Sequence, residues 1–338
     1  MLRFQDIMNP EERRLGAGQL ISIIRELHTR MTTQDKAPLG ALKILHPIQD
    51  KAAADKALSR MGRELDALRK FNHPSLVPVL DAQPDESWLV MPYFARQSLA
   101  HTDNVGMFRG DVIGSLRALR PLVEAVSVLH NNGYVHRDIK PGNVFIADEG
   151  RLVLGDFGLV VNPSARDPRL TDAYENVGSR DWMPAWAMGV RMDDVQPSFD
   201  VFGLAKLLWS MLSGKQFLRL WYFDRPEFNL EAMDIFQRGS DVRWATRIFR
   251  KCIVEHEGDC VLKNAGELLA LIDESLQALQ RGGQVLRGAG PNYCRICGLG
   301  TYQWASEEMN AEMRFVCDSC GHWVVFSGTR LIRKRAWE

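Results

Sequence analysis

The sequence predicts an α+β chain in two lobes, followed by a small cysteine-bearing module. Three observations predict it. Strand signals dominate up to Phe94, with a single helical stretch among them. Helical periodicity dominates from residue 109 to 279. Two Cys-x-x-Cys-Gly pairs then follow a glycine-rich stretch near the C-terminus. Strands first and helices second suggest two packed units.

The elements follow in chain order. Residues 15–45 read as short strands punctuated by Gly16 and Gly18, with Ile21-Ser22-Ile23-Ile24 and residues 39–45 as the apolar runs. Residues 52–70 are rich in Ala, Leu, Arg and Glu at helical spacing and stop before Asn72-His73-Pro74. Residues 76–80 and 88–94 look like strands joined by a Pro84-Asp85-Glu86 turn. Helices are predicted over 109–131, closed by Asn132-Gly133, and over 198–212, closed by Gly214. Two more cover 245–255 and 265–279. Residues 281–291 contain four Gly and one Pro and read as a linker.

Composition narrows the function classes. The 338 residues carry 42 Lys+Arg against 42 Asp+Glu, so a protein whose main task is coating nucleic acid or a membrane surface is disfavoured. The hydrophobic fraction of 46% builds a real core, and 25% charged residues is ordinary for a globular chain. The first residues carry charges where a secretory signal needs an apolar run, which points to the cytoplasm. The greasiest window, residues 201–212, contains Lys206 and reads as a buried helix, not a membrane span. In a reducing compartment six cysteines need a reason other than disulfides.

The strongest chemical signal is His136-Arg137-Asp138-Ile139-Lys140-Pro141-Gly142-Asn143, followed thirteen residues after Asn143 by Asp156-Phe157-Gly158. Apolar or β-branched runs flank both, so both sit on loops beside short strands. Together they resemble the signature set of the protein kinase family, and the resemblance covers roughly residues 15–275. It implies a bilobal kinase-like fold over residues 1–280, with an N-lobe of about 1–91 and a C-lobe of about 95–280. It also implies ATP and Mg²⁺ as cofactors and protein hydroxyls as substrate. Asp138 matches the catalytic base, and Lys140 the residue that reaches the γ-phosphate. Asn143 and Asp156 match the metal-binding positions, and their oxygens suit Mg²⁺.

The nucleotide side follows from the same resemblance. Lys43 in Gly40-Ala41-Leu42-Lys43 matches the lysine that pairs with the α- and β-phosphates, and Glu64 in Arg63-Glu64-Leu65 the acid that holds it. Ile23, Ala41 and Phe145 match the residues that sandwich adenine, although all three equally suit plain core positions. Gly16 and Gly18 match the first two glycines of the phosphate-covering loop, while Ile21 replaces the third. Glycines let backbone N–H groups approach phosphate oxygens closely. Met91 falls at the back of the adenine pocket and Tyr93 at the hinge, where Pro92 removes one backbone donor.

The chain also departs from the family. The run Trp182-Met183-Pro184-Ala185 lacks the glutamate of the family's Ala-Pro-Glu. Its buried arginine partner corresponds to Cys260, unless the alignment slips by two residues there. Losing both partners avoids stranding one buried charge. Gly178-Ser179 resembles the Gly-Thr that anchors a substrate peptide, and Asp200 the buried Asp that braces the catalytic loop. Arg137 beside Asp138 suggests regulation by phosphorylation of the loop, with Ser164, Thr171, Tyr174 and Ser179 as acceptors and Thr171 the first choice.

Cys294-Arg295-Ile296-Cys297-Gly298 and Cys317-Asp318-Ser319-Cys320-Gly321 form two knuckles separated by nineteen residues. Four thiolates in this layout suit tetrahedral Zn²⁺, with a redox pair or an iron–sulfur centre as the competing readings. The module resembles a zinc ribbon over residues 292–328, with short strands at 301–304, 313–316 and 323–326 and a basic tail at 329–338. A unit this small needs the metal for stability. Cys252 and Cys260 read as buried apolar side chains. Arg330, Arg333, Lys334, Arg335, Trp304 and Trp323 suit nucleic acid, but Glu307, Glu308, Glu312 and Asp318 nearly cancel the charge. Docking to a protein partner or autoregulation is therefore the favoured role.

The leading functional expectation is a protein serine/threonine kinase, since the family associates Lys140 with Ser/Thr acceptors. The alternative is a nucleotide-binding pseudokinase scaffold whose ribbon recruits a partner, suggested by the altered glycine loop and the missing glutamate. A small-molecule kinase is disfavoured by the peptide-docking look of residues 178–184.

Overall fold

The computed structural model describes residues 11–12, 20–24, 40–44, 50–83, 88–162, 181–187, 195–216, 218–236, 241–280, 302–308, 312–318, 323–327 and 330–334. The N-terminal strands β1 (Glu11–Glu12), β2 (Leu20–Ile24), β3 (Gly40–Ile44), β4 (Asp81–Gln83) and β5 (Trp88–Pro92) form one antiparallel sheet in the order β1-β2-β3-β5-β4. Register places Ile23 opposite Ala41, and Ala41 opposite Met91. Gly16 and Gly18 fall in the connection between the paired β1 and β2, outside the described residues.

Helix α1 (Lys51–Lys70) forms where sequence spacing predicts it, beginning one residue earlier. It buries Met61, Glu64, Leu65, Ala67 and Leu68, and Arg69 and Lys70 in its last turn complement the helix dipole. The strand predicted at 76–80 is displaced. Leu76 makes only an isolated bridge to Leu154, and the ladder starts at Asp81, where Val90 is its partner. Pro78 explains the shift, because proline cannot donate to a ladder.

The second lobe is helical. In α2 (Val112–Asn131) the Asp111 side chain caps the N-terminus by accepting from the Gly114 N–H at 2.8 Å, which is why the helix starts later than residue 109. Helix α3 (Ser198–Ser213) is buried along its whole length and ends at Gly214, whose φ of +68° is the left-handed cap. Helix α4 (Val242–Cys252) lies three residues N-terminal to its predicted span. Helix α5 (Ala265–Gln280) packs along α2. The largest apolar core joins α2, α3, α4 and α5. The hairpin of β6 (Val144–Ile146) and β7 (Leu152–Leu154) follows the segment 136–143. Among the described residues, no helix is long and apolar enough to cross a membrane.

The C-terminal strands form a separate four-stranded antiparallel sheet in the order β11-β10-β9-β8, from β8 (Tyr302–Glu308), β9 (Glu312–Cys317), β10 (Trp323–Ser327) and β11 (Arg330–Lys334). The second and third lie on the predicted strands within a residue at each end, while β8 runs four residues past the predicted 301–304, to Glu308. The fourth lies in the segment expected to be a basic tail: Arg330 to Lys334 pair with β10. Leu331 and Ile332 supply the apolar residues that a run of Arg and Lys obscures.

Candidate active site

Lys43 leaves β3 on the buried face, 4% exposed, and meets Glu64 from α1. Its ammonium donates to both Glu64 oxygens, at 2.8 and 2.9 Å, and to Asp156 Oδ1 at 3.2 Å. Burial disfavours the charge, but the Glu64 and Asp156 carboxylates override it and hold the Lys43 pKa above its ordinary value. Asp156 sits at φ +58° and ψ +72°, a left-handed conformation uncommon for a residue with a side chain. That turn aims its carboxylate at Lys43 while leaving 42% of the side chain exposed. Burial opposes its ionisation, yet Lys43 keeps its pKa below the usual carboxylate range.

The second cluster lies on the loop before β6. Lys140 Nζ bonds both oxygens of Asp138, at 2.9 and 2.8 Å. Asn143 donates its Nδ2 to Asp138 Oδ2 at 2.7 Å and to the Asp138 carbonyl at 2.8 Å. Asp138 is therefore fixed from two sides, and burial raises its pKa despite the pull of Lys140. A carboxylate that holds its proton more tightly is a better base than one in water.

Asp200, the first acidic residue of α3, holds this loop in place. It accepts from the His136 N–H at 2.7 Å and the Arg137 N–H at 2.8 Å. These bonds stabilise Arg137 at its positive φ of 71°. His130 completes the brace. Its Nδ1 accepts from the Ala265 N–H at 3.0 Å, so Nε2 carries the hydrogen and donates to Asp200 Oδ2 at 3.0 Å. Although Asp200 is fully buried, which works against ionisation, the His130 hydrogen bond and the backbone donors lower its pKa.

The structure brings most of the sequence-predicted residues together. Lys43, Glu64 and Asp156 form one cluster; Asp138, Lys140 and Asn143 form the other. Phe145 stacks on Phe94 at 5.2 Å between ring centroids. A Cβ at Gly155 would sit 2.8 Å from Phe145 and 3.0 Å from Val77, so only glycine lets the backbone run beneath that ring. Ala41 is buried and Met91 and Tyr93 are half-buried. Arg137, also buried, lines a crevice with Asp138, Trp182 and Met183. The candidate phosphoacceptors Thr171 and Ser179 lie outside the described residues, as do Cys294, Cys297 and Cys320. Cys317 is buried at the end of β9. Cys252 and Cys260 are buried as expected, with Cys260 Sγ donating to the Leu262 carbonyl at 3.1 Å. Sequence reasoning missed the parts played by His130 and Lys206. A lone histidine in a helix carries no signal, but a lysine inside an otherwise apolar helix does.

Comparison with known proteins agrees with this geometry. The protein kinase domain family matches residues 11–252. The chain is 30% identical over 156 residues to CBL-interacting protein kinase 12 of Oryza sativa subsp. japonica, covering 46% of this chain and 27% of the relative. It is 29% identical over 182 residues to the serine/threonine-protein kinase PAK mbt of Drosophila melanogaster, covering 53% and 26%. With the serine/threonine-protein kinase PknF of Mycobacterium tuberculosis it shares 28% over 218 residues, covering 60% and 42%. The chain thus spans less than half the length of these relatives. A match across most of the chain, together with two side-chain clusters in the family's order and geometry, establishes that the chain belongs to the protein kinase family.

Proposed function

We propose that the chain transfers the γ-phosphoryl group of ATP to serine or threonine hydroxyls of protein substrates. The observation that carries this reading is the Asp138 carboxylate, buried, raised in pKa and held by Lys140 and Asn143. A side chain so placed accepts the proton of an incoming hydroxyl. Lys43, fixed by Glu64, orients the nucleotide phosphates. Asn143 uses its Nδ2 on Asp138, which leaves its amide oxygen as a ligand, and Asp156 is partly open; this all-oxygen pair fits Mg²⁺. When bound there, Mg²⁺ neutralises charge on the phosphates.

A pseudokinase scaffold is less well supported, because Lys43, Glu64, Asp138, Asn143 and Asp156 are all present and the described contacts among them are made. The deciding experiment supplies labelled ATP and Mg²⁺ to the purified protein with a generic protein acceptor. Transfer by the wild type and its loss in Asp138→Ala supports the kinase reading; equal transfer by the variant overturns it. Phosphorylation of Thr171 or Ser179, with Arg137 as the partner of the phosphate, is the proposed control on activity, and mass spectrometry of the loop tests it.

The C-terminal sheet is proposed to be a zinc ribbon held by Cys294, Cys297, Cys317 and Cys320. Cys317 ends β9, and Trp323 of β10 pairs with Val316, so in sequence the rest of the second Cys-x-x-Cys-Gly falls between two paired strands. Tyr302 of β8 pairs with Cys317. Four thiolates at this spacing suit a closed structural site and a reducing compartment such as the cytoplasm. Trp304, 63% exposed, supports a docking role for this sheet toward a protein partner.

A further inference from the structure

Helix α3 contains two charged residues, Asp200 and Lys206, and both are buried. Asp200 braces the catalytic loop. Lys206 points elsewhere and is 0% exposed. Its ammonium donates to the Asp181 carbonyl and, at 3.0 Å, to the Leu220 carbonyl. The same ammonium lies 5.6 Å from the Trp182 ring centroid and 5.2 Å from that of Phe202. Both distances allow a cation–π attraction that is strongest when water is excluded. Trp186 in turn packs edge-on against Phe202 at 5.2 Å.

The segment held this way borders the base. Trp182 and Met183 share a crevice with Arg137, Asp138 and Ile139. This segment lacks the glutamate by which the family's sequence pattern would tie it to the rest of the lobe, and Cys260 replaces the expected arginine. Something else must hold the wall of the substrate crevice against the helix, and the described contacts put Lys206 there.

We infer that Lys206 is a positioning residue for the protein substrate, clamping residues 181–187 to α3 so that the acceptor hydroxyl is presented to Asp138. The inference rests on the kinase reading, since a substrate is needed for the wall to matter. Two carbonyls accept from the ammonium and two rings lie against it. Burial lowers the Lys206 pKa to about 7, with Asp181 the charged neighbour that pulls it back up. Arg219, in the segment packed on the other side, is exposed. A lysine pKa depressed by burial makes the buried state gain stability when the proton leaves, and the neutral amine still donates to both carbonyls, so the clamp persists as pH rises through neutrality.

The test compares wild type, Lys206→Met and Lys206→Arg, measuring KM for peptide and for ATP separately. Lys206→Met should raise peptide KM about tenfold while ATP KM stays level, because both carbonyls lose their donor. Lys206→Arg, which keeps the charge and the donors, should stay closer to the wild-type peptide KM. A folded Lys206→Met protein with wild-type peptide KM overturns the inference. Hydrogen exchange of amides 181–187 supplies an arm that needs no phosphoryl transfer. Their protection in Lys206→Met should fall relative to that of α3, and wild-type protection in the folded variant overturns the clamp. Wild-type protein that transfers no phosphate fails the kinase reading instead, and the exchange result still decides the clamp.

Discussion

Lys43 and Glu64, 21 positions apart in the chain, meet at 2.8 Å between a strand and a helix that belong to different layers of the N-terminal lobe. Their side chains are each 6% exposed, so the pair is a buried ion contact whose partners depend on each other. Breaking one side strands the other, at a cost of roughly 3–5 kcal/mol.

Lys43→Met and Glu64→Gln should therefore each lower stability and raise ATP KM, and the double variant should lose much less than the sum of the two. Thermal unfolding and ATP titration of all four proteins check this. Additive losses would mean that the two side chains act independently.

Asp138→Asn should reduce kcat by about 10²–10⁴-fold while leaving ATP binding nearly intact, because the amide keeps the shape but accepts no proton. The pH profile should carry the same signature. Burial raises the Asp138 pKa, so the acid limb of kcat lies above the ordinary carboxylate range and activity falls as pH drops through it. In the Asn variant that limb should vanish from the residual rate.

Asp200 runs the other way. Its folded pKa is lowered, so the stability it supplies is fully present above the unfolded carboxylate value and is lost as pH falls through the folded one. Asp200→Asn should cost about 1.5–3 kcal/mol at neutral pH, the worth of a hydrogen bond to a charged group, and the gap to wild type should close in acid. Denaturant midpoints from pH 7 to pH 2 check this.

Gly203 on α3 touches the residue after the base. A Cβ there would lie 3.2 Å from both Ile139 Cβ and the Ile139 carbonyl oxygen. Gly203→Ala should destabilise the protein by about 1–3 kcal/mol and depress kcat more than ATP KM, because relief moves Ile139 and with it Asp138. Unchanged kcat would show that the loop yields elsewhere.

Metal analysis should find about one zinc per chain, and Cys317→Ser or a chelator should remove it. The loss should unfold residues 302–334 without lowering the catalytic rate toward a generic acceptor. A metal-free protein with the same circular dichroism would end the ribbon proposal.

Much of the site was legible because its chemistry is local. Asp138, Lys140 and Asn143 lie within one short loop, so the spacing that identifies them also places them. Lys43, Glu64 and Asp156 were legible only through the resemblance, since nothing in their spacing says that a strand, a helix and a turn converge. The boundaries that moved did so for physical reasons: the Asp111 cap for α2 and Pro78 for β4. The brace by Asp200 was implied by the resemblance, whereas the Asp181 and Leu220 carbonyls that hold Lys206 were hidden because every residue type offers the same backbone group. Lys206 itself was visible as a charge in an apolar window, which rules out a membrane span but does not tell where the ammonium goes.

Helix α3 leaves none of its residues exposed, and through Asp200 it also holds the loop that carries the base. A helix in that position has no outer surface from which to begin unfolding. Its amides should exchange only when the whole lobe opens, so an unfolding event reaching α3 would dismantle the catalytic loop at the same moment. Heat or denaturant should then silence this chain in a single step rather than leave a weakened catalyst behind.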